Sequence, residues 1–86
     1  MVTESPGMTT YDTALLDRAE TLRSDAVLME EYARRLRATA ATLGGCRAAP
    51  EWSRPTLERQ AAACVTAADQ LRTAAEALDT HARPGD

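Results

Sequence analysis

The chain has 86 residues, which is enough for one small domain, and it carries a net charge of −3. This acidic balance argues against a nucleic-acid partner, and the longest apolar run, Ala61 to Val65, is far too short for membrane insertion. Eighteen alanines and nine leucines, with no phenylalanine, favour helices over sheets.

The N-terminal segment, residues 1–8, shows no hydrophobic periodicity and is predicted to be a flexible tail. It has neither the basic nor the apolar region of a signal peptide. We therefore expect a cytoplasmic protein, or one secreted without a cleaved signal peptide. All ten basic residues are arginine. Together with the many alanines, this usage is associated with actinobacterial coding sequences.

A first helix is predicted over about residues 10–43. Large residues recur every seven positions, and an alanine follows each of the first four by four positions, which places both sets on one side of a helix. Thr9 and Asp12 have the spacing of a capping box at its start. Gly44 and Gly45 are expected to end the helix, because glycine adopts the left-handed conformation without steric cost.

A loop is predicted over residues 44–53 and a second helix over about residues 54–83, followed by a short tail at 84–86. Ser53 is expected to be the N-cap, with Trp52 before it packing on Leu57. Pro84 and Gly85 end the pattern.

The second helix repeats the heptad of the first, with large residues at positions called d and alanines at positions called a. The alanines at a are Ala19, Ala26, Ala33, Ala40, Ala61, Ala68, Ala75 and Ala82. The predicted hairpin core is formed by the residues at d: Leu15, Leu22, Met29, Leu36, Leu43, Leu57, Cys64, Leu71 and Leu78. The predicted fold is all-α: an antiparallel two-helix hairpin, or coiled coil, that forms a four-helix bundle on dimerisation.

The register of this hairpin is predicted from the short loop, which makes the numbers of opposed residues sum to about 100. Arg23 then lies near Asp79 and Glu30 near Arg72. Both pairs have opposite charges, although the heptad pattern alone does not require it.

A single row of large residues is a thin core, so we expect a protein partner, either a second copy or another helical protein. The predicted partner-binding residues lie outside the core row: Leu16, Val27, Leu28, Tyr32, Trp52, Ala63, Ala67, Ala74 and Ala77. An alternative for the alanines is that they are good helix formers on a solvated face.

Charge is unevenly distributed along the predicted hairpin. Residues 34–63, at the loop end, contain six arginines and two acids, whereas the rest of the chain contains four arginines and eleven acids. Two hairpins in antiparallel orientation would bring opposite charges together. The alternative is a chance segregation on a solvated surface.

No catalytic, metal or cofactor site is expected. Cys64 and His81 are separated by about 25 Å along one predicted helix, and Cys46 lies in the loop, so they cannot converge on one ion or substrate. Cys64 at a d position is expected to be a small core residue. Cys46 is either an exposed thiol, able to bridge two chains, or the partner of Cys64 if the loop folds back.

Two helices of matched length, joined by a short loop with a tryptophan before the second helix, resemble the small WXG-type proteins of type VII secretion. The resemblance covers about Thr10 to Arg83. Trp52-Ser53-Arg54 stands where that family has Trp-x-Gly, so the glycine is missing, and residues 81–86 lack the tyrosine of the family's C-terminal export signal. The resemblance implies a homodimeric or heterodimeric four-helix bundle, secreted as a folded pair or serving a larger helical effector.

The sequence therefore predicts a non-enzymatic helical-hairpin protein that resembles small type VII secretion substrates or their partners and acts by helix–helix assembly. The main alternative is a cytosolic adaptor or regulatory protein that docks on a partner protein's helix. A third possibility is an anion or nucleic-acid binder that uses the arginines near the loop.

Overall fold

The fold is a helical hairpin. In the computed structural model, residues 9–82 are described. Helix α1 spans Thr10–Gly44 and helix α2 spans Ser53–Ala82, and the two pack along their length. The all-α hairpin predicted from the heptads is confirmed. The predicted tails and the end of the second helix at residue 83 lie outside the described residues.

The start of α1 is fixed by the predicted capping box, which is present. The backbone N–H of Asp12 donates to the Thr9 hydroxyl at 3.1 Å, and the backbone N–H of Thr9 donates to the Asp12 carboxylate at 3.2 Å. These two bonds satisfy amide groups that have no partner inside the helix. The first helix therefore begins where the sequence places it.

The end of α1 differs from the prediction. Gly44 is still helical, and Gly45 has φ −96° and ψ 5°, so neither glycine ends the helix through a left-handed conformation. Instead, the N–H of Gly45 donates to the carbonyl of Thr42 at 3.2 Å and the N–H of Cys46 to that of Leu43 at 3.0 Å, which tightens the last turn. Gly44 lies under the side chain of Arg54, whose Nη1 would be 3.3 Å from an added Cβ.

Helix α2 begins one residue earlier than predicted. Ser53 is its first residue rather than its N-cap, and it is buried. The carbonyl of Trp52 accepts the N–H of Thr56 at 3.1 Å, so Trp52 occupies the position expected for Ser53. Helix α2 begins early because a turn precedes it, in which the Ser53 N–H donates to the Pro50 carbonyl at 3.0 Å. This turn continues directly into the helix.

The two helices meet through alanine. The eight alanines at a positions are at most 1% exposed, and no larger side chain is fully enclosed in the described chain. Of the nine residues at d, Leu36 is buried at 8% exposure, and the other eight are half-buried. Because a methyl group occupies little space, the helix backbones approach closely and the larger side chains are displaced to one side of the contact.

Two ion pairs confirm the predicted register. Arg72 donates to Glu30 with Nη2 and Oε1 at 2.8 Å, and Arg23 donates to Asp79. In this register, each buried alanine of α1 falls within one residue of the level of a buried alanine of α2, as Ala26 does with Ala75.

We expect overpacking at the alanine contact to destabilise the hairpin. Ala68→Leu inserts three carbons where the side chain is 0% exposed, and it should lower the free energy of unfolding by about 1–3 kcal/mol. Urea denaturation followed by circular dichroism measures the change. Ala62→Leu is the control, because Ala62 is exposed on the same helix and its replacement should change stability by less than about 0.5 kcal/mol. Equal effects of the two substitutions would contradict close packing at Ala68.

The Glu30–Arg72 pair predicts an acid-dependent loss of stability. The hydrogen bond from Arg72 lowers the pKa of Glu30 below its ordinary value. Because the pKa is lower in the folded than in the unfolded state, the stabilisation is complete above the ordinary glutamate pKa and is lost as the pH falls through the lower, folded-state value. Glu30→Gln should therefore be less stable than the wild type at pH 7, and the difference should shrink below about pH 4.

Urea titrations at a series of pH values measure this difference. Glu31→Gln is the control, since Glu31 makes no ion pair with α2 among the described residues. A wild-type advantage over Glu30→Gln that persists undiminished at low pH would show that the ion pair is not its source.

Candidate functional site

The ion pairs divide the hairpin into two open faces. Arg23, Glu30, Arg72 and Asp79 all occupy e positions, so the e positions of both helices lie on the same side of the alanine contact. In a view along the helix axis, the e position is rotated about 40° from the a position in one direction. The d position is rotated about 60° from the a position in the other direction. The d positions of both helices therefore lie together on the opposite side.

The side formed by the e and b positions is called here the charged face. It carries ten charged side chains in the described chain: Glu20, Arg23, Glu30, Arg34, Arg37, Glu58, Asp69, Arg72, Glu76 and Asp79. A shallow cleft on this face is lined by Arg23, Val27, Arg72 and Glu76. The dense charge and the ion pairs across the hairpin make this face suited to solvent.

The side formed by the d and g positions, with the adjoining c positions, is called here the apolar face. The eight half-buried residues at d form its centre, on both sides of the buried Leu36. At the described d, g and c positions, Arg18, Asp25 and Arg35 are the only acidic or arginine residues, and His81 is the one histidine. A continuous row of large apolar side chains with so little charge beside it is typical of a surface that packs against another protein.

The apolar face is widened by residues on both flanks of the central row. On α1, Leu28 is 57% exposed and Tyr32 is 47% exposed. Tyr11, 64% exposed, continues the g positions towards the N-terminus and was not included in the sequence prediction. Its spacing of 21 residues from Tyr32, three heptads, is the signal that identifies it.

The predicted partner-binding alanines lie beside the leucine row of α2. Ala67 is half-buried, whereas Ala63, Ala74 and Ala77 are exposed. These small side chains leave the adjacent row of large residues accessible to an approaching helix.

The structure does not bring all of the predicted partner-binding residues together. Leu28, Tyr32 and the four alanines border the apolar face. Leu16 and Val27 occupy e and b positions and lie on the charged face, where Leu16 is half-buried and Val27 is 50% exposed. The heptad already separates these groups, since it places Leu16 and Val27 on one flank of the α1 core stripe and Leu28 and Tyr32 on the other.

Trp52 lies at the loop end of the hairpin, away from both faces. Its side chain is 67% exposed, so most of the indole is in solvent and little of it is used in the predicted packing on Leu57. A cleft at this end is lined by residues of the loop and of the adjoining helix ends, from Leu43 to Arg54, including Cys46 and Arg47. Trp52 is therefore an exposed aromatic group that is available to a partner.

The cysteine and histidine side chains, which in other proteins act as nucleophiles, bases or metal ligands, are dispersed along the hairpin. Cys46 is an exposed thiol and Cys64 is a half-buried one, and neither is in a disulfide. His81 is exposed in the last turn of α2, where its position favours the helix dipole. Within residues 9–82, no group of three metal-ligating side chains is present. Neither helix has a segment both long and apolar enough to cross a bilayer.

Charge is segregated along the hairpin as well as between its faces. In the described chain, residues 34–63 carry six arginines against two acids, and the remaining residues carry three arginines against nine acids. At the loop end, Arg54 pairs with Glu58 at 3.4 Å, and this is the one ion pair found there among the described residues. One end of the hairpin is therefore basic and the other is acidic.

The geometry defines the class of the protein as an alanine-packed helical hairpin with one charged and one apolar face. The chain matches no protein-family model, no curated protein and no solved structure at a significant level.

We expect Trp52 to contribute little to the stability of the hairpin. Trp52→Ala should change the free energy of unfolding by less than about 0.5 kcal/mol, because the side chain is largely in solvent. Leu36→Ala is the comparison, with an expected loss of about 2–5 kcal/mol at the most buried of the large side chains. Thermal and urea denaturation measure both. A loss at Trp52 as large as that at Leu36 would mean that the indole is part of the packing.

Proposed function

We propose that this chain is a non-enzymatic protein that acts by packing its helices against those of a protein partner. The observation that carries the proposal is the apolar face: eight half-buried side chains in one row, bordered by Leu28 and Tyr32. An isolated hairpin leaves this row in contact with water, which is unfavourable for each exposed apolar side chain. A helical partner that covers the row would remove that cost.

The absence of an enzymatic role is part of the same proposal. Cys46, Cys64 and His81 are separated along the hairpin, and a nucleophile and its base must lie within hydrogen-bonding distance. The perturbed pKa values, those of Arg23, Glu30 and Arg72, arise mainly from the hydrogen-bonded ion pairs that join the two helices, which is a structural cause.

We further propose that the chain serves type VII secretion, as a small substrate or as the partner of a larger helical protein. Three features support this: two helices of about 52 and 45 Å, a short loop between them, and an exposed tryptophan in the loop. The chain departs from the family's Trp-x-Gly motif at Arg54, whose side chain lies over Gly44.

The alternative is a cytosolic adaptor that uses the same apolar face and is never exported. The arginine at the glycine position of the motif favours this alternative. The two proposals share the assembly surface and differ in where the protein is found.

An export experiment distinguishes the two. The full chain is produced in an actinobacterial host with an active type VII system and in a matched strain that lacks the secretion ATPase. We expect the protein in the culture medium of the first strain and only in the cells of the second. Trp52→Ala should reduce export without loss of helix content, because it removes an exposed group and leaves the hairpin contact intact.

Val27→Ala is the control for this experiment. Like Trp52→Ala it removes an exposed apolar side chain, but Val27 lies on the charged face and Trp52 lies at the loop end. Retention of the wild-type protein in the cells of both strains would reject the secretion proposal and favour the adaptor. Export that is independent of the ATPase would reject it as well.

A further inference from the structure

We infer that the loop end of the charged face is a docking site for a short acidic segment of a partner protein. The residues that carry the inference are Arg34, Arg37 and Arg54. The site goes beyond the proposed function, because the apolar face lies on the opposite side of the alanine contact.

The ion pairs across the charged face stop before they reach the loop. Two pairs join e positions of the helices, and the one nearer the loop is Glu30–Arg72. The next e positions towards the loop, one heptad further along each helix, are Arg37 and Val65. Val65 is half-buried and packs against the buried cluster that includes Leu36, so an apolar side chain stands in the place of an acid. Arg37 therefore has no carboxylate opposite it.

Two further arginines extend this position into what is called here the basic patch: Arg34, Arg37 and Arg54. Arg34 lies three residues before Arg37 at the adjoining b position, and both are exposed. Arg54 lies over Gly44, the e position one heptad after Arg37, where its Nη1 would be 3.3 Å from an added Cβ. The basic patch therefore follows about 15 Å of the charged face, at ~1.5 Å per residue from residue 34 to residue 44.

The acids near the basic patch leave most of its charge available. Among the described residues, Arg34 and Arg37 make no ion pair. Glu30 is four residues before Arg34, but its carboxylate already accepts a hydrogen bond from α2 at 2.8 Å. Glu58, at an e position of α2, lies 3.4 Å from Nε of Arg54. The patch therefore carries three positive charges against this one acid.

The chemistry of the basic patch suits carboxylates. A guanidinium presents its N–H donors in a planar fork that matches the two oxygens of a carboxylate. Ala41 and Ala62 occupy the b positions beside the patch, so no bulky side chain there blocks an approaching peptide. At ~3.3 Å per residue, about five residues of an extended peptide cover ~15 Å. A short acidic segment is therefore long enough to reach all three arginines.

The rest of the charged face limits the length of the ligand. Towards the chain termini this face carries two arginines and five acids: Glu20, Arg23, Glu30, Asp69, Arg72, Glu76 and Asp79. A DNA duplex, with one negative charge per ~1.7 Å of its axis, would be repelled by these acids if it continued along the hairpin. The e and b positions of the described chain also carry no aromatic side chain on which a base could stack. A short protein segment fits these limits better than a nucleic acid.

The first test is a calorimetric titration of the full chain with a glutamate peptide of about ten residues, twice the ~15 Å span at ~3.3 Å per residue. We expect binding at low ionic strength that weakens as salt is added. Arg37→Gln should weaken binding several-fold, because it removes a charge and a donor fork.

Arg35→Gln is the matched control for Arg37→Gln. Arg35 is exposed at nearly the same level of α1, but its c position borders the apolar face. Both substitutions change the net charge by the same amount, and circular dichroism should show the same helix content for both. Equal losses of affinity would show that net charge alone attracts the peptide, and would overturn the site.

The second test supplies the missing acid from the hairpin itself. Ala41→Glu places a carboxylate four residues after Arg37 on the same side of α1, where it can pair with that arginine. Thr66→Glu is the control with the same net charge, since Thr66 is exposed at an f position outside both faces. We expect Ala41→Glu to weaken binding of the glutamate peptide more than Thr66→Glu does. No difference between the two variants would contradict a site at Arg37.

The third test locates the peptide and compares it with other anions. In nuclear magnetic resonance spectra of the isotope-labelled full chain, the side-chain Nε–H signals of Arg34, Arg37 and Arg54 should shift on addition of the glutamate peptide. Those of Arg35 and Arg59 should shift less. A short DNA duplex and phosphatidylglycerol vesicles are titrated at the same salt concentration. Tighter binding of either one would overturn the choice of an acidic protein segment.

These results are independent of the export experiment. No binding of the glutamate peptide at low salt, or equal shifts for all arginines, overturns the basic patch as a site and leaves the apolar face untouched. Retention of the protein in the cells, with the glutamate peptide still bound at the basic patch, would reject the secretion proposal and leave this inference in place.

Discussion

The close contact of α1 and α2 through alanine is the constraint on which the rest of this structure depends. Eight alanines at a positions are enclosed between the helices, and no larger side chain is fully enclosed in residues 9–82. A methyl group lets the helices approach closely, and Leu36 is the one residue at d that is buried among the described residues, in a cluster with Ala33 and Ala61. The other residues at d therefore lie beside the contact, where an isolated hairpin covers them only in part.

This arrangement also explains why the two faces differ. The displacement of the large side chains is in one direction, because d lies on one side of a and e lies on the other in every heptad. The antiparallel path brings the d positions of both helices to the same side. The e positions meet on the other side, where Arg23, Glu30, Arg72 and Asp79 form ion pairs that hold the register. One geometric rule thus produces an apolar face and a charged face from the same repeat.

Much of this fold follows from local pattern. The capping box at Thr9, the length of both helices and the register of the ion pairs are set by residues close in sequence or by a seven-residue period. The details that differ lie where the two helices meet the loop. Gly45 ends α1 with a tightened turn, and Ser53 begins α2 because the turn at Pro50 already leads into the helix. Turn geometry of this kind depends on the whole loop and not on one glycine or one capping residue.

The candidate surface was less predictable than the fold, for a physical reason. In sequence, Val27 and Leu28 are neighbours and both look like apolar residues outside the core row. Their heptad letters, b and c, place them on different flanks of the core stripe, about 100° apart around the helix. The heptad therefore separates the two residues, but it does not show how much of each flank the second helix leaves uncovered. The heptad assigns the leucines at d to a core, but how far that core is covered depends on the size of the residues at a. Because those residues are alanines, burial within one hairpin remains incomplete, and any protein that covered the leucine row would stabilise the hairpin by mass action.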